Sequence, residues 1–192
     1  MRETIPNVLT IVRILLTMVA IALVPLAPLN LYEWLFALFA LAAITDFADG
    51  YLARRWEVIS DFGKIFDPLA DKVLTFVFLV MLYGSGIIPA VVILLLIVRD
   101  LVIDSVRGVF AAQGLVVQAI TTAKVKTALI FVLILLALAA LSFGKGTFLE
   151  TLVLPVALLS LAFSYISAAQ YARLFWAHYH NPNTVERASS ST

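Results

Sequence analysis

The sequence predicts an all-α integral membrane protein with six transmembrane helices and both termini in the cytoplasm. Three observations carry this expectation. Hydrophobic residues make up 63% and charged residues 13% of the 192 residues, against roughly 45–50% and 25% in soluble domains. Six apolar stretches follow one another, at Val8–Leu26, Trp34–Ala53, Pro68–Tyr83, Pro89–Ala112, Lys126–Phe143 and Leu149–Phe175, most of them near the roughly 20 residues that cross a hydrocarbon core. The basic residues are also asymmetric. With both termini inside, the outer loops Pro25–Glu33 and Gly84–Ile88 hold no Lys or Arg, and Ser142–Leu149 holds only Lys145. The other twelve, among them Arg54, Arg55, Lys64 and Arg173, lie at or toward the inner face, as the positive-inside rule requires.

The first stretch is interrupted by Arg13 and followed by five more spans, with no small-residue cleavage site behind it, so it reads as a helix and not as a removed signal. Pro25 and Pro28 end it, and Asn7, Thr10 and Arg13 on it either reach a bound nucleotide or order the entry turn. The second stretch starts beside Tyr32 and Trp34, interface anchors, and closes on Asp46 and Asp49. Arg55–Phe66 reads as a loop in which Gly63 allows close approach or a positive φ. The third stretch opens at Asp67-Pro68, where Asp67 suits the cap and Pro68 the first helical turn. The fourth carries Arg99, Asp100, Asp104 and Arg107, and the fifth is preceded by Lys124 and opens on Lys126. The sixth is bent near its start by Pro155. It closes among Tyr171, Trp176 and Tyr179, read as interface anchors, with His178 and His180 interfacial beyond the span.

Residues 1–179 therefore form one membrane domain, and 180–192 a polar, disordered tail. The absence of cysteine excludes disulfides and thiolate metal sites. A net charge of +1 gives no ground for a nucleic-acid partner.

Chemistry is concentrated in four aspartates. Asp46 and Asp49 are three residues apart, and Asp67 and Asp71 four apart, so each pair shares a helix face with about 4.5 and 6 Å of rise between its members. Two facing helices bring four carboxylates to one pocket, where they cannot all stay ionised without cations. Two hard dications resolve this, and an all-oxygen donor set suits Mg²⁺ or Mn²⁺. Gly50 and Ala53 keep one helix face small, Arg54 offers a fixed cation to phosphate, and Gly63 allows another close approach. Singly, each has a plainer reading: Asp67 as a cap, Gly50 and Ala53 as helix packing, Arg54, Arg55 and Lys64 as topology signals. Jointly those readings leave four membrane-edge carboxylates with no purpose, and such groups are costly.

The pattern D-x2-D-G-x2-A-R-x8-G-x3-D-x3-D over Asp46–Asp71 resembles the signature of the CDP-alcohol phosphotransferase family at all eight specified positions. The resemblance implies a six-helix membrane enzyme, commonly homodimeric, in which an alcohol attacks the β-phosphate of a CDP-linked lipid and CMP leaves. It implies that Asp46, Asp49, Asp67 and Asp71 bind two metal ions, that Asp71 is also the general base, and that Asp49, Gly50, Ala53, Arg54 and Gly63 line the CDP-lipid site. Such an enzyme belongs in the cytoplasmic (inner) membrane, its site facing the cytoplasm.

The acceptor falls to the second half of the chain. Arg99, Arg107, Lys124 and Lys126, if they converge near the metals, make a phosphate cradle, so an acceptor that carries a phosphate is favoured. Asp104 and Arg107 also fit an intrahelical ion pair. Three segments are similar to bacterial phosphatidylglycerophosphate synthases of the same family: Ile5–Arg13, Val98-Arg99-Asp100 with Arg107, and Ala123–Thr127. The donor and acceptor so implied are CDP-diacylglycerol and glycerol 3-phosphate. Asp100, Asp104 and Ala123 depart from that pattern, and Arg99-Asp100 also resembles cardiolipin synthases, for which phosphatidylglycerol is the acceptor. A divalent-metal transporter would explain acidic residues in a membrane, but it calls for polar groups across the bilayer, and here they gather at one face. A scaffold subunit would not need the aspartate spacing.

Overall fold

The computed structural model describes the backbone of residues 4–56, 61–112, 120–144 and 146–180, and the side chains of 8–46, 66–112, 120–144, 146–177 and 179–180. The described residues form six helices and no strand: α1 (Thr4–Leu26), α2 (Leu31–Trp56), α3 (Asp61–Ser85), α4 (Ala90–Ala112), α5 (Thr121–Phe143) and α6 (Phe148–His180). Each apolar stretch of the sequence falls within one helix, apart from Pro89, which stands just ahead of α4. Among the described residues, Val8–Leu26, Thr121–Phe143 and Phe148–Ala177 are long and apolar enough to cross a membrane. This is a membrane protein.

Helix limits differ from the apolar limits for a physical reason. An apolar run marks the part of a helix that meets lipid, whereas the backbone ladder continues into polar sequence. Thus α3 begins at Asp61, which puts Gly63 in its first turn instead of a loop, and Asp67 and Pro68 inside the helix instead of at its cap. Likewise α5 begins at Thr121, ahead of Lys126. At 33 residues, α6 extends about 50 Å, longer than a hydrocarbon core of roughly 30 Å, so it carries past Phe175 to His180. Of the expected tail 180–192, His180 instead closes α6, and 181–192 lie outside the described residues, as does the 113–119 link between α4 and α5.

Turns are closed by local chemistry. The α1 ladder stops where Ala27 takes a left-handed φ of 38° ahead of Pro28, a common helix ending. Between α3 and α4, Gly86 adopts φ 72° and donates to the Tyr83 carbonyl at 3.2 Å; a residue with a Cβ would be strained there.

The bundle packs α1 on α2 and α3, α5 on α2, α3 and α6, and α4 on α6 and α3. Phe39 of α2 meets Phe78 of α3 edge-on at 4.9 Å and Phe131 of α5 at 5.3 Å, pairs worth about 0.5–1.5 kcal/mol each beyond their burial. Leu35, Leu74, Leu82, Leu133, Ile134 and Ala137 fill the core around them. Outward faces carry Leu15, Met18, Leu94, Val98, Leu101 and Leu158, all exposed. In water so large an apolar surface would aggregate; against acyl chains it is the natural exterior.

Candidate active site

One end of the bundle gathers its charge. Asp46 near the C-terminal end of α2, Asp67 and Asp71 on α3, and Thr10 and Arg13 on α1 meet where these three helices pack. The buried Arg13 guanidinium bridges two helices: Nη2 lies 2.8 Å from Asp46 Oδ1 and Nη1 lies 2.5 Å from Asp71 Oδ1. The Thr10 hydroxyl donates to Asp67 Oδ1. The expected convergence of carboxylates from two helices is therefore observed for Asp46 and Asp71, which aim at one cation. Asp49, Gly50, Ala53 and Arg54 fall in the last turns of α2, and their side-chain surroundings, with those of Gly63, lie outside the described residues.

The second half supplies a basic cluster built around one carboxylate. Asp100 accepts from Arg99 Nη1 at 2.8 Å through Oδ1 and from Lys126 Nζ at 2.6 Å through Oδ2, joining α4 to α5. Arg99 also donates to the Ser167 hydroxyl of α6, which in turn donates to the Ser164 carbonyl at 2.9 Å. The Nε of Arg99 is buried with no hydrogen-bond partner among the described residues. The Lys72 ammonium pairs with Asp104, tying α3 to α4; this interhelical pair was not anticipated from the spacing of Asp104 and Arg107. The Arg107 guanidinium stands 5.4 Å over the Tyr171 ring.

A cavity of about 610 Å³ is lined by Asp46, Pro68 and Lys72 together with Arg99, Arg107, Lys124 and Lys126, with Tyr171 at the wall; of the described aspartates of the pattern, Asp46 lines it. Arg99, Arg107, Lys124 and Lys126, expected to converge, line the same cavity as Asp46. Among the described residues, five basic side chains and three carboxylates (Asp46, Asp100 and Asp104) line the space, a basic excess that suits a phosphate group.

Among the described residues, no three His, Asp or Glu side chains form a group placed to hold a metal ion; Asp49 lies outside them. The donor set still fits a hard cation. It is all oxygen, and Asp46 and Asp71 already share one positive group.

Residues 3–169 match the family described as CDP-alcohol phosphatidyltransferase. The chain belongs to that family. As a CDP-alcohol phosphatidyltransferase it is an enzyme of phospholipid synthesis, in a family generally dependent on divalent metal. It is 37% identical over 132 residues to a CDP-diacylglycerol–glycerol-3-phosphate 3-phosphatidyltransferase of Rickettsia bellii, covering 65% of this chain and 69% of that one. It is 36% identical over 125 residues to the enzyme of the same name from Rickettsia typhi, 65% and 70% covered. The relative so named in Cereibacter sphaeroides is 36% identical over 156 residues, 76% and 66% covered.

Lys72 and Ser167 were not singled out by sequence, and Tyr171 was read as an interface anchor. Tyr171 is instead buried at 1% exposure, accepts from the Ile120 N–H at 3.3 Å and stacks on Phe175 at 6.1 Å. Trp34, Trp176 and Tyr179 are exposed, as anchors should be. A signal for the others existed: Ser160, Ser164, Ser167 and Tyr171 recur at i, i+4, i+7 and i+11, one buried polar face on α6.

Proposed function

We propose that this enzyme transfers the phosphatidyl group of CDP-diacylglycerol to glycerol 3-phosphate, giving phosphatidylglycerophosphate and CMP. The observation that carries the reading is the cavity joining Asp46 to Arg99, Arg107, Lys124 and Lys126. Glycerol 3-phosphate brings a dianionic monoester and phosphatidylglycerol a monoanionic diester, so a cluster of four basic side chains favours the former. The names of the relatives point the same way.

In this reading Arg99, Arg107, Lys124 and Lys126 bind the acceptor phosphate. Asp71 accepts the proton of the acceptor hydroxyl as its oxygen bonds to the β-phosphorus and the bond from that phosphorus to the CMP oxygen breaks. Asp46, Asp49, Asp67 and Asp71 would hold two divalent ions, Mg²⁺ or Mn²⁺, which would supply charge neutralisation to the phosphoryl transfer. Asp49, Gly50, Ala53, Arg54 and Gly63 hold the CDP head group. All six helices span the inner membrane with both termini and the site on the cytoplasmic side. The working form is a homodimer.

The test is CMP release from CDP-diacylglycerol by purified protein with Mg²⁺. Release is expected to depend on glycerol 3-phosphate, to stop with chelator and to return with Mg²⁺ or Mn²⁺. Release only with phosphatidylglycerol would make the enzyme a cardiolipin synthase. Release that survives chelation would overturn the metal assignment.

A further inference from the structure

Helix α1 is apolar apart from a few positions, and Thr10, Arg13 and Thr17 recur at three and four residues, so they share one face. All three are buried, Thr10 and Arg13 at 0% exposure. A buried arginine in a lipid-facing helix is costly unless paired, and this face turns to the acidic cluster. Thr10 donates to Asp67, and Arg13 reaches Asp46 and Asp71, so α1 supplies a donor to every described carboxylate of the aspartate pattern. Thr17 donates to the Arg13 carbonyl at 2.9 Å, tying the face together.

We propose that the Thr10–Arg13 face of α1 is the positioning shell of the metal site, orienting Asp46, Asp67 and Asp71 to receive divalent ions. This rests on the metal reading above. The residue types suit the task. A guanidinium is a planar fork whose two outer nitrogens here reach carboxylates on two different helices in a fixed geometry, which a lysine ammonium, a point charge on a flexible stem, does not impose. The charge balance suits it as well. Arg13 holds Asp46 and Asp71 together against their mutual repulsion, while Thr10 holds Asp67 without adding charge. Among the described residues, three carboxylates outnumber one guanidinium, so the cluster is ordered yet still attracts a dication. A second cation in place of Thr10 would weaken that attraction. Hydrogen-bonding partners of metal-ligating carboxylates act in this way elsewhere, and losing one typically weakens metal affinity by about 10–100-fold.

The experiment is Mn²⁺ titration of the purified full-length protein, without lipid substrate, following free Mn²⁺ by paramagnetic resonance. Arg13→Gln is expected to bind Mn²⁺ about 10–100-fold more weakly than wild type, with Arg13→Lys between the two. Thr10→Val, which removes one hydroxyl at nearly constant volume, is expected to weaken binding several-fold and keeps the test open if Arg13→Gln fails to fold. Binding in both Arg13→Lys and Thr10→Val equal to wild type would overturn the proposal. Tighter binding in Arg13→Gln would also overturn it, because Arg13 would then be a countercation competing with the metal. Wild-type protein that binds no Mn²⁺ would overturn the metal reading itself, and this proposal with it.

Discussion

Asp71 is the residue on which two roles converge, since it sits in the acidic cluster and is the carboxylate assigned to the acceptor's proton. Asp71→Asn keeps an oxygen donor but removes the base. We expect kcat to fall about 10²–10⁴-fold while CDP-diacylglycerol affinity stays within a few-fold, measured by CMP release beside equilibrium binding. Normal turnover would remove Asp71 as the base. Lys126 makes the complementary case. Its ammonium is buried against Asp100, and a charge-assisted hydrogen bond to a phosphate is worth about 1.5–3 kcal/mol. Lys126→Ala is therefore expected to raise the apparent KM for glycerol 3-phosphate by about 10–100-fold with little change for CDP-diacylglycerol. A loss confined to CDP-diacylglycerol would put Lys126 in the nucleotide site instead.

Among the elements, α6 has a larger part than its plain sequence announces. It holds Arg99 through Ser167 and supports Arg107 on Tyr171, while Phe110 of α4 stacks on Phe175 at 4.3 Å. A cation over an aromatic face is worth about 0.5–2 kcal/mol. Tyr171→Leu should accordingly raise the acceptor KM by roughly 2–30-fold. Tyr171→Phe keeps the ring and loses only the bond from Ile120, so its KM should stay near wild type. Equal damage from both would show that the hydroxyl at the start of α5, and not the ring, carries the effect. Lys72 and Asp104 act at the same scale, pinning α3 to α4.

For the whole molecule, orientation sets which compartment supplies the acceptor. The chain has no cysteine, so single introduced thiols report topology without background. Ser85→Cys, in the α3–α4 turn, should react with a membrane-impermeant maleimide added outside intact cells, and Thr121→Cys, at the start of α5, only after the membrane is opened. The reverse pattern would invert the protein and move the site to the outer face.

Much of this was legible in the chain itself. Apolar runs located all six helices because lipid demands continuous nonpolar surface, and the aspartate spacing disclosed the acidic site because helical periodicity is local. Lys124 and Lys126 were found by their short separation, and Arg99 by its depth in an apolar run. What no local rule could supply was partnership across helices: Arg13 between Asp46 and Asp71, Asp100 between Arg99 and Lys126, Lys72 with Asp104, Tyr171 beneath Arg107. Those pairings depend on which helix packs against which and at what rotation, and in a bilayer that is decided by side-chain packing and interhelical hydrogen bonds, not by hydrophobicity. Composition thus determined the membrane fold, and the aspartate pattern carried the resemblance to the family, whereas only tertiary packing decided that Asp46 and the basic cluster open onto one cavity.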